Sequence, residues 1–187
     1  MLIVEGPDGS GKSTLVARLA ESLQMYVMPR MVAQDGTRMG DLVRWVHEDV
    51  TSGLKRAVYD RHRLISELVY GPLLRSTMEP GFDNINWLRT YQQRLRSKEP
   101  FVIFCLPPLE DVQKNVDGDA SSEWMSDHVE QVYWMYHGLA STWPEPTVVW
   151  DYTKDDEMHT YRGNSRYSWL LSDITKWLFE KGMYEHG

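Results

Sequence analysis

The chain carries a single cysteine among its 187 residues, so no disulfide can form within it and chemistry that needs a pair of thiols is excluded. That residue, Cys105, lies inside the apolar run 101–106, where a buried, inert thiol is expected rather than a nucleophile or a metal ligand. No apolar run reaches eighteen residues, which leaves no candidate for a membrane-spanning helix. The apolar start 1–4 breaks at Glu5 with no basic segment before it, so a signal peptide is not expected and a cytoplasmic location is. Positive charge is also in deficit. Twenty Lys and Arg against 27 Asp and Glu give a formal charge of -7, which argues against broad attraction to nucleic acid but not against a local basic groove. Internal repeats and low-complexity linkers are missing, and His47, His128, His137, His159 and His186 show no metal-ligand spacing. Tryptophan and tyrosine, by contrast, are plentiful at eight and ten, and packing is the first explanation, with base stacking the second.

With 42% hydrophobic residues, the chain is expected to form one globular domain over 1–187. Short apolar strands are predicted at 2–4, near 25–28, at 57–59, at 101–106 and at 147–150. Helical spacing predicts helices at 12–23, 39–50, about 64–74, 85–96, 109–116, about 125–139 and 169–179. A turn is expected at 79–81, an exposed loop at 117–122 and a polar loop at 153–166. Alternating strands and helices imply an α/β fold, a doubly wound parallel sheet of about five strands flanked by helices. In such sheets ligands bind beyond the carboxyl ends of the strands, where Glu5, Asp60, Pro107 and Asp151 fall.

Gly6-Pro7-Asp8-Gly9-Ser10-Gly11-Lys12-Ser13 matches G-x-x-x-x-G-K-[ST] without a gap, between a predicted strand and a predicted helix, with Thr14 next. Glycines let backbone N–H groups converge on phosphate oxygens, and the helix N-terminus adds the positive end of its dipole. Lys12 is expected to reach the transferred phosphate from an exposed loop and Ser13 to hold magnesium, which makes ATP and Mg2+ the expected cofactors. At the end of the strand 57–59, Asp60 can orient magnesium or its water, and Arg61 can hold phosphate through its planar fork. Glu5 and Asp8 are candidate bases. Val132-Tyr133-Trp134-Met135-Tyr136 is read as core or as contact between two copies, ahead of a base platform.

The opening Glu5-Gly6-Pro7-Asp8-Gly9-Ser10-Gly11-Lys12-Ser13-Thr14 resembles that of thymidylate kinases, and Tyr59-Asp60-Arg61-His62, with Ser66 and Tyr70 behind it, resembles their Asp-Arg-Tyr motif. The stretch from Arg30 through Gly36-Thr37-Arg38 to Arg44 is similar, more loosely, to their acceptor-binding region, and 117–127 occupies the position of their lid. The resemblance implies a P-loop kinase fold with a lid segment. It places Lys12, Ser13 and Asp60 on ATP and magnesium, and Asp8, Arg30, Arg38, Arg61, His62 and Tyr70 toward the acceptor. The family's catalytic arginine in the P-loop or lid has no counterpart here, and the acidic lid would oppose a developing negative charge. The stabilising cation is therefore sought among Arg61, Arg63, Arg162 and Arg166.

The stretch from Asp60 to Glu67, with Tyr70-Gly71-Pro72, also resembles the motif in bacteriophage members of the family, which for a phage-encoded chain means the host cytoplasm. Some of those phosphorylate 5-hydroxymethyluracil in phage DNA. Three readings follow: transfer of the ATP γ-phosphate to a thymidylate-like pyrimidine deoxynucleotide, transfer to the hydroxymethyl group of that base within DNA, or a deoxynucleoside kinase or P-loop ATPase switch. Glu5 holds the position used by the base in related deoxynucleoside kinases, and the alternative reading is a carboxylate that orients the loop backbone or Arg61.

Overall fold

A computed structural model of the chain describes residues 1–29, 46–48, 56–74, 85–117, 123–144, 146–154 and 165–183. Strands β1 (Leu2–Glu5), β2 (Tyr26–Met28), β3 (Ala57–Asp60), β4 (Phe101–Cys105) and β5 (Thr147–Trp150) form one parallel sheet in the order β2-β3-β1-β4-β5. Helices α1 (Lys12–Leu23), α2 (Arg63–Leu74), α3 (Ile85–Ser97), α4 (Leu109–Asp117), α5 (Glu123–Thr142) and α6 (Arg166–Glu180) cover both faces. Among the described residues, no helix is long and apolar enough to cross a membrane.

Because side chains alternate along a strand, each strand feeds two cores. Ile3, Tyr59, Val102 and Phe104 pack beneath α2, α3, α4 and α5 with Ile65, Leu95, Val112 and Tyr136. Leu2, Val4, Val58, Ile103 and Cys105 point the other way, onto Leu15 and Leu19 of α1 and Leu170 and Ile174 of α6. Burial on both sides explains why β1 and β4 read as unbroken apolar runs. The chain adds strands to one side of β1 and then to the other: the register places Val4 opposite Asp60 on β3 and Glu5 opposite Phe104 on β4. A crevice therefore opens at the carboxyl end of β1, where the glycine-rich segment begins.

Several boundaries differ from the expectation. The closing helix starts at Arg166 rather than 169, because Ser165 caps it and accepts the Ser168 N–H at 3.3 Å, and because Tyr167 already packs on the core. Trp124 to Asp127, expected in the lid, belong to α5, since Met125, Val129, Val132 and Tyr136 form one buried stripe from the helix's first turns onward. Asp117 closes α4, and a 3-10 turn (Tyr152–Lys154) opens the stretch expected to be loop. Of the helix expected at 39–50, residues 46–48 are helical and Val46 is buried. The rest of it, the turn at 79–81, and Arg30, Arg38, Arg44 and Arg162 lie outside the described residues.

Candidate functional site

The segment after β1 folds as a loop that only glycine permits at its tightest point. Gly6 has φ 144°, and a Cβ there would lie 2.5 Å from the Cys105 carbonyl oxygen, so the chain passes against β4 only without a side chain. Gly11, at φ 79°, ends the loop and caps α1, with the Tyr152 ring 3.0 Å from where its Cβ would be. Lys12 begins the helix and is 6% exposed, which corrects the expectation of an exposed loop lysine. Its ammonium folds back over the loop and donates to the Pro7 carbonyl. Burial pulls the Lys12 pKa down to about 8. Ser10 is fully buried and also donates to the Pro7 carbonyl, at 2.8 Å.

Ser13 Oγ donates to Asp60 Oδ2 at 2.8 Å, joining the helix start to the end of β3. Two hard oxygens beside the loop fit magnesium, which takes one or two protein oxygens and completes its octahedron with waters and phosphate. Among the described residues no cluster of three or more His, Cys, Asp or Glu forms a self-sufficient metal cage.

On the inner side of the loop lies a charged set in which Glu5 and the Arg61 guanidinium are buried and Asp8 is partly exposed. Arg61 adopts the left-handed conformation, φ 68°, with its N–H bonded to the Val4 carbonyl at 2.9 Å. This turn aims the guanidinium back at the loop, where it donates to Asp8 Oδ1 at 2.7 Å, to the Gly6 carbonyl at 3.2 Å and to Tyr70 Oη at 2.7 Å. Burial alone would lower the Arg61 pKa, but Tyr136, Tyr70, Asp8 and Glu5 around it raise it. Glu5 is completely buried and accepts the His62 N–H on Oε1 at 2.6 Å and the Tyr136 hydroxyl on Oε2 at 3.1 Å. Burial lifts its pKa to about 7 against the pull of the His62 N–H, Arg61, Tyr136 and Lys12. His62, expected toward the acceptor, is 2% exposed and caps α2, with its Nδ1 accepting the Leu64 N–H at 3.3 Å. Cys105 is buried as expected, its thiol pushed up to about 12 by burial.

The outer side contains residues that belong to no sequence motif. Asn115 of α4 donates to the Gly9 carbonyl at 2.8 Å and to Tyr152 Oη at 3.0 Å. A cavity of about 330 Å³ opens beside them, lined also by Thr14, Arg18 and Trp150. The Arg18 guanidinium stands 3.9 Å above the Tyr167 ring and puts a cation at this cavity that the sequence reading did not count. Of the four arginines expected to supply the stabilising cation, Arg61 is committed to the loop, and Arg166 sits exposed at the start of α6.

Sheet order, helices on both faces and the glycine-rich loop after β1 define the P-loop kinase fold. No protein-family model matches the chain. In sequence it is 28% identical over 178 residues to a probable thymidylate kinase of Methanoculleus marisnigri, covering 81% of this chain and 85% of that protein. In structure it is similar to the YorR protein of Bacillus subtilis, solved in complex with phosphorylated GDP, at TM-score 0.67 and 16% identity over 99% of both chains. It is also similar to the deoxyadenosine kinase of M. mycoides, solved with bound dCTP, at TM-score 0.57 and 17% identity, covering 94% of this chain and 99% of that one.

Proposed function

We propose that the protein is an ATP- and Mg2+-dependent phosphotransferase acting on a thymidylate-like pyrimidine deoxynucleotide. The observation that carries this reading is the loop itself, in which Lys12 folds over the Pro7 carbonyl and Ser13 meets Asp60 beside it. In this reading the backbone N–H groups of 6–14 cradle the ATP phosphates, and Lys12 exchanges the Pro7 carbonyl for a phosphate oxygen. Its ammonium, poised near 8, is held charged by the phosphate it meets. Bound magnesium, held by Ser13 and Asp60, would neutralise charge on the β- and γ-phosphates. The bond between the γ-phosphorus and its bridging oxygen breaks as the acceptor oxygen attacks, and ADP leaves. Arg61 and Asp8 fix the inner wall, with Tyr70 behind them; Arg61 supports the transition state by holding the loop rather than as a free cation. The resemblance to the probable thymidylate kinase supports a deoxynucleotide as acceptor.

One observation favours a second reading. A monophosphate acceptor needs no proton removed, whereas Glu5 is a buried carboxyl poised near neutrality, the value that suits a base for a hydroxyl. A deoxynucleoside, or the hydroxymethyl group of 5-hydroxymethyluracil in DNA, would use it. The test is to incubate the protein with γ-labelled ATP and Mg2+ against thymidylate, deoxyuridylate, thymidine and hydroxymethyluracil-containing DNA in parallel. Label on thymidylate supports the first reading, and label on thymidine or DNA alone supports the second. ATP hydrolysis with no labelled acceptor contradicts both and leaves the ATPase switch.

A further inference from the structure

We infer that Tyr136 is a positioning residue for Glu5, its hydroxyl fixing one carboxylate oxygen while the His62 amide fixes the other. The inference rests on the proposed phosphotransfer site, which contains Glu5. Tyr136 is fully buried in the middle of an apolar stripe of α5, where phenylalanine would pack as well and avoid desolvating a hydroxyl. That hydroxyl instead donates to Glu5 Oε2 at 3.1 Å. The ring is held edge-on by Tyr70, with centroids 6.2 Å apart, and tilted against Phe104 at 6.5 Å. Donors on both oxygens, one from the backbone at the end of β3 and one from α5, fix the plane of the carboxylate and favour its charged form in a site closed to water. Through its hydroxyl Tyr136 meets Glu5 and through its ring it meets Tyr70, which accepts from Arg61, so Tyr136 touches both halves of the inner wall.

The direct test is carboxyl NMR of protein labelled at glutamate, with the Glu5 signal identified by its loss in Glu5→Gln. The groups facing Glu5 are Lys12 from the start of α1, Arg61 and the His62 amide from the β3 end, the Cys105 thiol from β4 and Tyr136 from α5. Removing a donor that favours the charged form must move the Glu5 midpoint to higher pH in Tyr136→Phe. An unmoved midpoint would overturn the inference. The wild-type protein gives a second reading that needs no variant to fold: a Tyr136 hydroxyl proton protected from exchange, whose chemical shift follows the Glu5 titration. A rapidly exchanging hydroxyl would equally overturn it.

Neither reading needs an acceptor, so failure of the phosphotransfer proposal, seen as absent label transfer, is told apart from failure here. With whichever trial acceptor is labelled, Tyr136→Phe should lower kcat about tenfold and leave KM for ATP within about twofold. The same change should add nothing in a Glu5→Gln background. Losses that multiply in the double variant would show that Tyr136 acts apart from Glu5.

Discussion

On the inner side of the phosphate-binding loop, Glu5, Asp8, Arg61, Tyr70 and Tyr136 form a hydrogen-bonded set in which Glu5, Tyr136 and the Arg61 guanidinium are buried and Asp8 is half-exposed, whereas on the outer side Thr14, Arg18, Asn115 and Tyr152 border an open cavity. The inner side is held together by its own hydrogen bonds, and its buried members, Glu5 and the Arg61 guanidinium, act at the low dielectric that makes placed groups effective. The outer side offers space, one stacked cation and a single amide tie to the loop. A lesion inside should therefore damage the chemical step, and a lesion outside should damage nucleotide affinity.

The largest effect is expected where both sides meet, at Lys12. Lys12→Ala should raise the barrier to phosphoryl transfer by about 3 kcal/mol or more, because the cation on the transferred group is lost. The melting temperature should hold, since burying the ammonium already costs the fold, as its lowered pKa shows. Lys12→Met, which keeps the buried stem, should be as inactive; recovery of turnover in it would mean that packing and not charge matters.

Next comes Glu5. Glu5→Gln should cost roughly 100-fold in kcat with a hydroxyl acceptor and about tenfold with a monophosphate. Its pKa also carries a stability signature with a defined sign. Glu5 titrates near 7 in the folded chain against an ordinary 4.5, so between those values the folded state holds the extra proton and stability falls as pH rises. The melting temperature of Glu5→Gln relative to wild type should therefore improve from pH 5 to about pH 7 and level off above it. A flat difference across that window would mean that Glu5 is ionised in the fold throughout.

Arg61→Ala should cost about 2–4 kcal/mol of stability and lower turnover, since it removes the donors to Gly6, Asp8 and Tyr70 at once. Asp60→Asn should instead raise the Mg2+ concentration needed for half-maximal rate with little change in melting temperature. Matching thermal losses in both, with no kinetic defect, would reduce them to structural contacts. The smallest effect belongs to the outer side: Asn115→Ala should weaken ATP binding about three- to tenfold, with kcat nearly unchanged, by freeing the Gly9 carbonyl. A kcat loss as large as that of Glu5→Gln would erase the distinction between the two sides.

The fold was legible where physics is local. β1, β3, β4 and β5 are apolar runs ended by a charged residue or a proline, and the loop motif between β1 and α1 announces itself by spacing. Strand order was not legible, because it depends on which crossovers pack together and leaves no mark in any one segment. The inner wall was legible but for one residue. Glu5, Asp8, Arg61 and Tyr70 stand in motifs, but Tyr136 lies on a helix 131 positions from its partner Glu5 and reads there as one more core residue. Asn115, Tyr152 and Arg18 escaped for the same reason: each looks like an ordinary surface or helix residue until the sheet brings it to the loop. Lys12, expected on an exposed loop, is buried at the start of α1, since spacing reports neighbours in sequence and not what packs above them.

The central claim is that the loop at 6–14 transfers the γ-phosphate of ATP to an acceptor fixed against the inner wall. The most direct measurement is transfer of γ-label from ATP, with Mg2+, to thymidylate, thymidine and hydroxymethyluracil-containing DNA by wild-type and Lys12→Ala protein. Wild type should label at least one acceptor, and the variant should lose about 100-fold or more of that transfer. Equal labelling by a folded Lys12→Ala protein, or ATP consumed with no labelled acceptor, would contradict it.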